Sequence, residues 1–295
     1  MKLDAIPTEQ VVALAREIEG HGLDEVWVCE DLGRNGGIAQ AAMALGATEK
    51  VRVGLGIVPA AVRNPAYLAM ELASVCRTHP GRFIPGIGHG MPGWLRQVGA
   101  HPGKLLPCLE ETTVVVSRLL AGETVYFSGT HVHLEDVTLD YPPLEPPPIL
   151  LGVRGPKGIE VASRVAGGVI LAEGSDPRYV ASVRERLGPD AQITVFAWFA
   201  TDDHDAPAVE RLRPTVGAAL GADFMQAQLG ELAAEGPTDR VLAELTVSGA
   251  AGNCADAIGR LYEAGADTVV LQPVPGTEAA ELDRIAPLLA LVRSS

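Results

Sequence analysis

Short β-branched apolar runs recur along the chain, each followed by an Ala- and Leu-rich stretch with helical spacing. The runs are KLDAI (2–6), EVWVC (25–29), VRVGLGI (51–57), RFIPGI (82–87), PILLGV (148–153), GVILA (168–172), QITVFAWF (192–199) and DTVVLQ (267–272). Near-continuous apolar strands are what a parallel sheet needs when both its faces are covered. Between them, TEQVVALAREIEGHG (8–22) repeats Val12, Leu14, Ala15 and Ile18 near a 3.6-residue period, with Gly22 as the stop. NPAYLAMELASVC (64–76) repeats the pattern, with Pro65 suited to the first helical turn. Eight strands alternating with helices predict a (β/α)8 TIM barrel; a doubly wound sheet is the second architecture this rhythm allows.

Two segments break the rhythm. TVYFSGTHVHLEDVTLDYPPLEPPP (124–148) is a strand–SGT–strand pattern followed by a proline cluster, and predicts a β-hairpin insertion near 124–140. Residues 202–250 hold helical stretches broken by Gly and Pro, with no strand, and predict a helical insertion serving as a lid or an oligomer contact. No repeat or linker stands out, so one domain is expected over 1–295.

Composition narrows the partners. The 295 residues carry 23 basic and 37 acidic side chains, a net charge of -14, which argues against nucleic acid as partner. An anionic cofactor would therefore depend on backbone N–H groups and a few local cations. Cys29, Cys76, Cys108 and Cys254 show neither a disulfide framework nor a C-x-x-C site. No apolar stretch spans a membrane and the first residues lack a signal-peptide core, so the expectation is a cytoplasmic protein with no membrane partner.

In a barrel, chemistry belongs at the C-terminal ends of the strands. GVRGPKG (152–158) follows a strand and opens a helix; Gly155 permits close backbone approach and Lys157 adds a cation, which suits a phosphate. The same segment also satisfies the plain strand-to-helix turn of any α/β protein. GIGHGMPGW (86–94) places glycines at alternate positions after a strand, with the amides of His89 and Gly90 as donors, but it is not a dinucleotide fingerprint. Glu30 and Asp31 end the second strand as a general acid or cofactor-orienting pair, or as solvated loop acids. His131 and His133 share a strand face, but no third metal ligand lies near in sequence. G-x-S-x-G, P-loop and H-E-x-x-H motifs are absent.

Taken in order, GLDEVWVCED, VRVGLGIVPAAVRNPAYLAMELASV, GRFIPGIGHGMPGW, PPILLGVRGPKGIEVASRVAGGVIL and AIGRLYEAGADTVVLQPV resemble the luciferase-like flavin-dependent oxidoreductases. Within that superfamily they most resemble the branch similar to F420-dependent methylenetetrahydromethanopterin reductase. The resemblance implies the deazaflavin coenzyme F420, or alternatively FMN, lying across the barrel mouth. Its ring would rest against a third-strand bulge, Gly56-Ile57-Val58, often built on a cis peptide that is not X-Pro. The phosphate would be held by Arg154-Gly155-Pro156-Lys157-Gly158 and the polyol tail by backbone at His89 and Gly90. Glu30 takes the place of the ring-contacting acid, and Asp31 replaces a histidine. That replacement, with Met91 where the sugar-phosphate dehydrogenases tend to carry an acid, argues against glucose-6-phosphate as substrate.

The activity implied is hydride transfer between F420 and an electron-poor C=C or C=N bond of a small organic substrate, with Glu30 or Asp31 as candidate proton donor. The alternatives are an FMN-dependent monooxygenase, a cofactor-binding barrel without catalysis, and a barrel holding a substrate phosphate. Trp27 and Trp94 would flank the site as fluorescence reporters, and the resemblance implies a homodimer.

Overall fold

The computed structural model describes residues 1–3 and 5–294. Its strands are β1 (Lys2–Leu3), β2 (Glu25–Val28), β3 (Arg52–Pro59), β4 (Phe83–Gly88), β5 (Val125–Ser128), β6 (His133–Val137), β7 (Leu150–Gly152), β8 (Gly168–Leu171), β9 (Gln192–Thr201), β10 (Thr246–Gly249) and β11 (Thr268–Pro273). Residue 4 of the expected first strand lies outside the described residues. The chain divides into two compact units, one of Pro7–Glu19 with Asp24–Ile170, the other of Met1–Ile6, Gly20–Leu23 and Leu171–Ser295.

In the unit holding residues 24–170, β2, β3, β4, β7 and β8 pair in that order, all parallel. All four side chains of β2 are buried, as a strand covered on both faces requires. Trp27 is fully buried and lies against Gly54, where a Cβ would overlap its ring, and its indole N–H donates to Glu25 Oε2 at 2.6 Å. Glu25 in turn pairs with Arg52. In the helix Val11–Gly20 the buried residues are Val11, Leu14, Ala15 and Ile18, so Val11 rather than Val12 begins the apolar face. The helix Pro65–Thr78 starts as expected, with Asn64 accepting the Ala66 N–H at 2.9 Å and Pro65 in the first turn. The expected hairpin is present as β5–β6, antiparallel, its tip fixed by Glu111 accepting from the amides of Thr130, His131 and Val132. Among the described residues, no group of three or more His, Cys, Asp or Glu side chains could hold a metal ion.

Glu19 closes the approach to β3. Its carboxylate accepts from the amides of Lys50 at 2.6 Å, Val51 at 2.9 Å and Glu49 at 3.0 Å. Desolvation pushes the carboxyl up, but the three amide bonds outweigh it and hold it below the ordinary 4.5. A depressed carboxylate stabilises the fold above its unfolded pKa and loses that contribution as pH falls through its folded pKa. Glu19→Gln is therefore expected to lower the urea midpoint at neutral pH. Wild type and variant should converge as the medium is acidified below 4.5; a constant difference would contradict the account.

In the other unit, β9 carries parallel partners β10 and β11. The helical insertion is found, as Asp205–Leu220, Asp223–Leu229, Glu231–Ala234 and Asp239–Leu245. The expectation of no strand within it is corrected by β10, whose four residues TVSG are too few to show a period in sequence. The insertion builds its own core, with Leu212, Val216, Met225, Leu232, Val241 and Leu242 packed on Trp198 and Ala200 of β9. Arg211 ties this helix layer to Thr201 O at 2.7 Å, Asp202 at 2.9 Å and Glu281 at 3.2 Å. Burial pushes the Glu281 carboxyl up, and the Thr201 amide and Arg211 pull it back only in part. Among the described residues, no helix is long and apolar enough to cross a membrane.

Candidate functional site

β2, β3, β4 and β7 are consecutive parallel neighbours, so their C-terminal ends form one edge. Three inter-strand steps of ~4.8 Å make that edge about 14 Å wide. Four sequence segments meet there: Glu30–Asp31 beyond β2, Gly56–Val58 within β3, His89–Gly90 beyond β4, and Arg154–Gly158 beyond β7.

At the centre is an irregularity in β3. Its register against β4 shifts between Leu55 and Val58, and the Gly56–Ile57 peptide is cis, where the resemblance places a bulge. The shift turns Ile57 onto a bed of glycines. A Cβ on Gly88 would stand 2.8 Å from Ile57 Cδ1, and one on Gly152 2.6 Å from Ile57 Cγ2. Gly86 lies under the same side chain, where an added Cβ would stand 3.3 Å from Ile57 Cγ2. The first two glycines of GIGHG, with Gly152, thus receive Ile57, which the sequence did not reveal. Gly56 and Ile57 remain half-buried, while Val58 is 1% exposed and can offer a ligand only backbone.

Glu30 has three donors. Arg63 forks onto both its oxygens at 2.5 and 2.9 Å, and the Gly37 amide reaches Oε2 at 3.1 Å from the start of the helix Gly37–Ala47. Gly37 is small for a reason: a Cβ there would stand 2.6 Å from Leu55 and 3.0 Å from Glu30. Arg63 also meets Glu71 at 3.1 Å. Its pKa rises through the Glu30 hydrogen bond, against burial, with Glu71 adding to the rise. A carboxylate that accepts in every one of these contacts is built to orient, and giving a proton would require Arg63 to let go. Asp31 points elsewhere, toward Arg34 at 3.6 Å. Sequence reasoning missed Arg63. The visible signal was a lone cation in the loop between β3 and the Asn64 cap, without any clue to its partner.

His89 Nδ1 lies 2.6 Å from the Gly90 carbonyl. A carbonyl only accepts, so Nδ1 carries the hydrogen. Gly90, at φ +72°, sits tight against Pro59, 2.9 Å from an added Cβ. Beyond β7, Gly155 at φ +81° turns the chain into the helix Pro156–Val165, which has no side-chain cap. Pro156 occupies the first turn without an N–H, so the amides of Lys157 and Gly158 are the outward donors. Gly158 backs onto Val153, Lys157 is exposed and Arg154 is half-buried. Donors and cations of this kind fit an anionic group.

Trp27 does not flank the site: it is sealed beneath Gly54 by the packing described above. Trp94, half-buried in the short helix after Met91, remains near it in sequence.

The chain belongs to the luciferase-like monooxygenase family, whose model matches residues 2–268. It is 22% identical over 302 residues to a 5,10-methylenetetrahydromethanopterin reductase of Methanolobus tindarius, covering 91% of this chain and 92% of the relative. It is 29% identical over 185 residues to an F420-dependent glucose-6-phosphate dehydrogenase of Nakamurella multipartita, covering 57% and 53%. Among solved structures, an F420-dependent secondary alcohol dehydrogenase in complex with an F420-acetone adduct superposes with a TM-score of 0.85. That likeness has 21% identity and covers 99% of this chain and 97% of the other. The α/β fold class read from the sequence alternation is therefore the one this chain has, shared with the luciferase-like enzymes.

Proposed function

We propose that the chain is an F420-dependent oxidoreductase that transfers hydride to an electron-poor C=C or C=N bond of a small organic molecule. The observation that carries this reading is the Ile57 bulge, set on its glycine bed between the Glu30–Arg63 pair and the uncapped helix at Pro156. The F420-dependent relatives support it. When bound, the deazaflavin supplies the hydride chemistry.

The protein's part is binding and orientation. Ile57 offers an apolar face against which a planar ring can rest. Arg63 fixes Glu30 so that its carboxylate holds one orientation, in which it would orient the ring. The amides of Lys157 and Gly158, with Arg154 and Lys157 nearby, would hold the phosphate, and the backbone at His89 and Gly90 would hold the polyol. Asp31 and Met91 stand where the sugar-phosphate dehydrogenases carry other groups, which favours a substrate other than glucose-6-phosphate.

Calorimetric titration with F420, and separately with FMN, tests the reading. With Trp27 buried, heat is a better signal than tryptophan emission. Micromolar or tighter F420 binding is expected, with FMN weaker by at least about tenfold, ~1.4 kcal/mol. The reverse order would favour a flavin monooxygenase, and no binding of either would sink the proposal.

A further inference from the structure

The loop between β2 and the helix Gly37–Ala47 carries a reactive pair that the cofactor reading does not use. The chain has three asparagines, Asn35, Asn64 and Asn253. The side-chain carbonyl carbon of an asparagine is open to attack by the backbone nitrogen of the next residue, provided that nitrogen is unhindered and uncommitted. Asn64 precedes Pro65, which has no N–H. Asn253 precedes Cys254, whose N–H is held by the Ala250 carbonyl at 3.0 Å. Asn35 precedes Gly36, which has no Cβ to shield its nitrogen. Gly36 is exposed, and among the described residues its N–H donates to no acceptor.

The electrophile is prepared as well. Thr8, which opens the short 3-10 turn Thr8–Gln10, donates its hydroxyl to Asn35 Oδ1 at 2.5 Å. Negative charge develops on that oxygen when a nucleophile adds to the amide, and a donor fixed there stabilises the adduct. The product also suits its place. Asn35 stands two residues before Gly37, the first residue of the helix, and a carboxylate there meets the positive end of the helix dipole. Gly37 is the residue whose amide donates to Glu30 Oε2 at 3.1 Å.

We propose that Asn35 is a self-modification site, at which the folded chain loses ammonia and gains an aspartate or isoaspartate in the loop that holds Glu30. The Gly36 nitrogen gives its proton to hydroxide and bonds to Asn35 Cγ. The Cγ–Nδ2 bond breaks, and Nδ2 takes up a proton and leaves as ammonia. Water then opens the cyclic imide at either carbonyl. The sum is one water consumed and one ammonia released, with no change of oxidation state. Opening at the main-chain carbonyl routes the backbone through the former side chain and adds a methylene before Gly36. The Gly37 amide is then carried away from Glu30, whose carboxylate is left to Arg63. The conversion stands by itself; its effect on cofactor binding rests on the reading of Glu30 proposed above.

The test ages the purified protein in mildly alkaline buffer and follows position 35 by peptide mass mapping, with wild type, Gly36→Ala and Thr8→Val side by side. Gly36 has φ -71° and ψ 118° with nothing within 4 Å of an added Cβ, so alanine fits there without strain. Thr8 is exposed, and valine keeps its shape while removing the donor. In folded wild type, Asn35 should be converted while Asn64 and Asn253 are not. Gly36→Ala should slow the conversion by about tenfold or more, and Thr8→Val by about threefold or more. Converted protein, separated by anion exchange on its added charge, should bind F420 more weakly by about threefold or more. No conversion of folded wild type while a urea-unfolded sample converts would overturn the proposal. So would a Thr8→Val rate equal to or above that of wild type, or a rate unaltered by Gly36→Ala. Equal F420 affinity before and after conversion would overturn the link to Glu30. If unconverted protein binds no F420, the cofactor reading fails while the mass result stands.

Discussion

Gly86→Ala is expected to destabilise the protein by ~3 kcal/mol or more, at or above the top of the ~1–3 kcal/mol that forcing atoms into a packed core typically costs. A Cβ at Gly86 would overlap the Leu55 carbonyl oxygen, which belongs to the neighbouring strand, and stand 2.6 Å from Ile170 Cδ1. Neither backbone can retreat, because β4 is hydrogen-bonded to β3 on one side and β7 on the other. Gly88→Ala meets mainly the flexible end of Ile57, so its cost should be smaller and should fall on the bulge and on cofactor affinity. Gly155→Ala is the contrasting case: nothing lies within 4 Å, and only the backbone at φ +81°, ψ 162°, a region essentially reserved for glycine, opposes it, at ~1–3 kcal/mol. Urea unfolding followed by circular dichroism orders the three. Gly86→Ala as stable as Gly155→Ala would refute the packing account of the glycine bed.

Arg63→Gln is expected to affect both stability and cofactor binding. Removing one partner of a fully buried ion pair costs ~3–5 kcal/mol, and partial solvation of this pair reduces that to ~1–3 kcal/mol. The side chains are 26% exposed for Arg63 and 13% for Glu30. Glu30 would keep only the Gly37 amide, its orientation would loosen, and F420 affinity should fall by about tenfold or more. Arg63→Lys should restore the charge but not the two-point fork, and so recover affinity only in part. Unchanged F420 affinity in Arg63→Gln, with only lower stability, would make the pair purely structural.

The strand-and-helix alternation was legible because each element buries its own apolar residues, and the period of those residues survives in the sequence. β10 escaped because four residues ending in glycine carry no period. The position of the bulge was legible only through the family resemblance. Its support was not: Gly152 is far in sequence from Gly86 and Gly88, and their common neighbour Ile57 appears only once β3, β4 and β7 pair. Trp27 was misjudged for a related reason. A strand-end tryptophan can face either side, and the absence of a side chain at Gly54 decides which.

By itself, the sequence determined the α/β class, the hairpin, the helical insertion and the four segments proposed to hold a cofactor. These follow from local periodicity, turn residues and motif order. The tertiary structure alone decided that Glu30 is clamped by Arg63, 33 residues away, and that Lys2 and Gln272, 270 residues apart, share a hydrogen bond. Charge pairing and amide orientation depend on distances across strands, and a linear sequence contains no term for those.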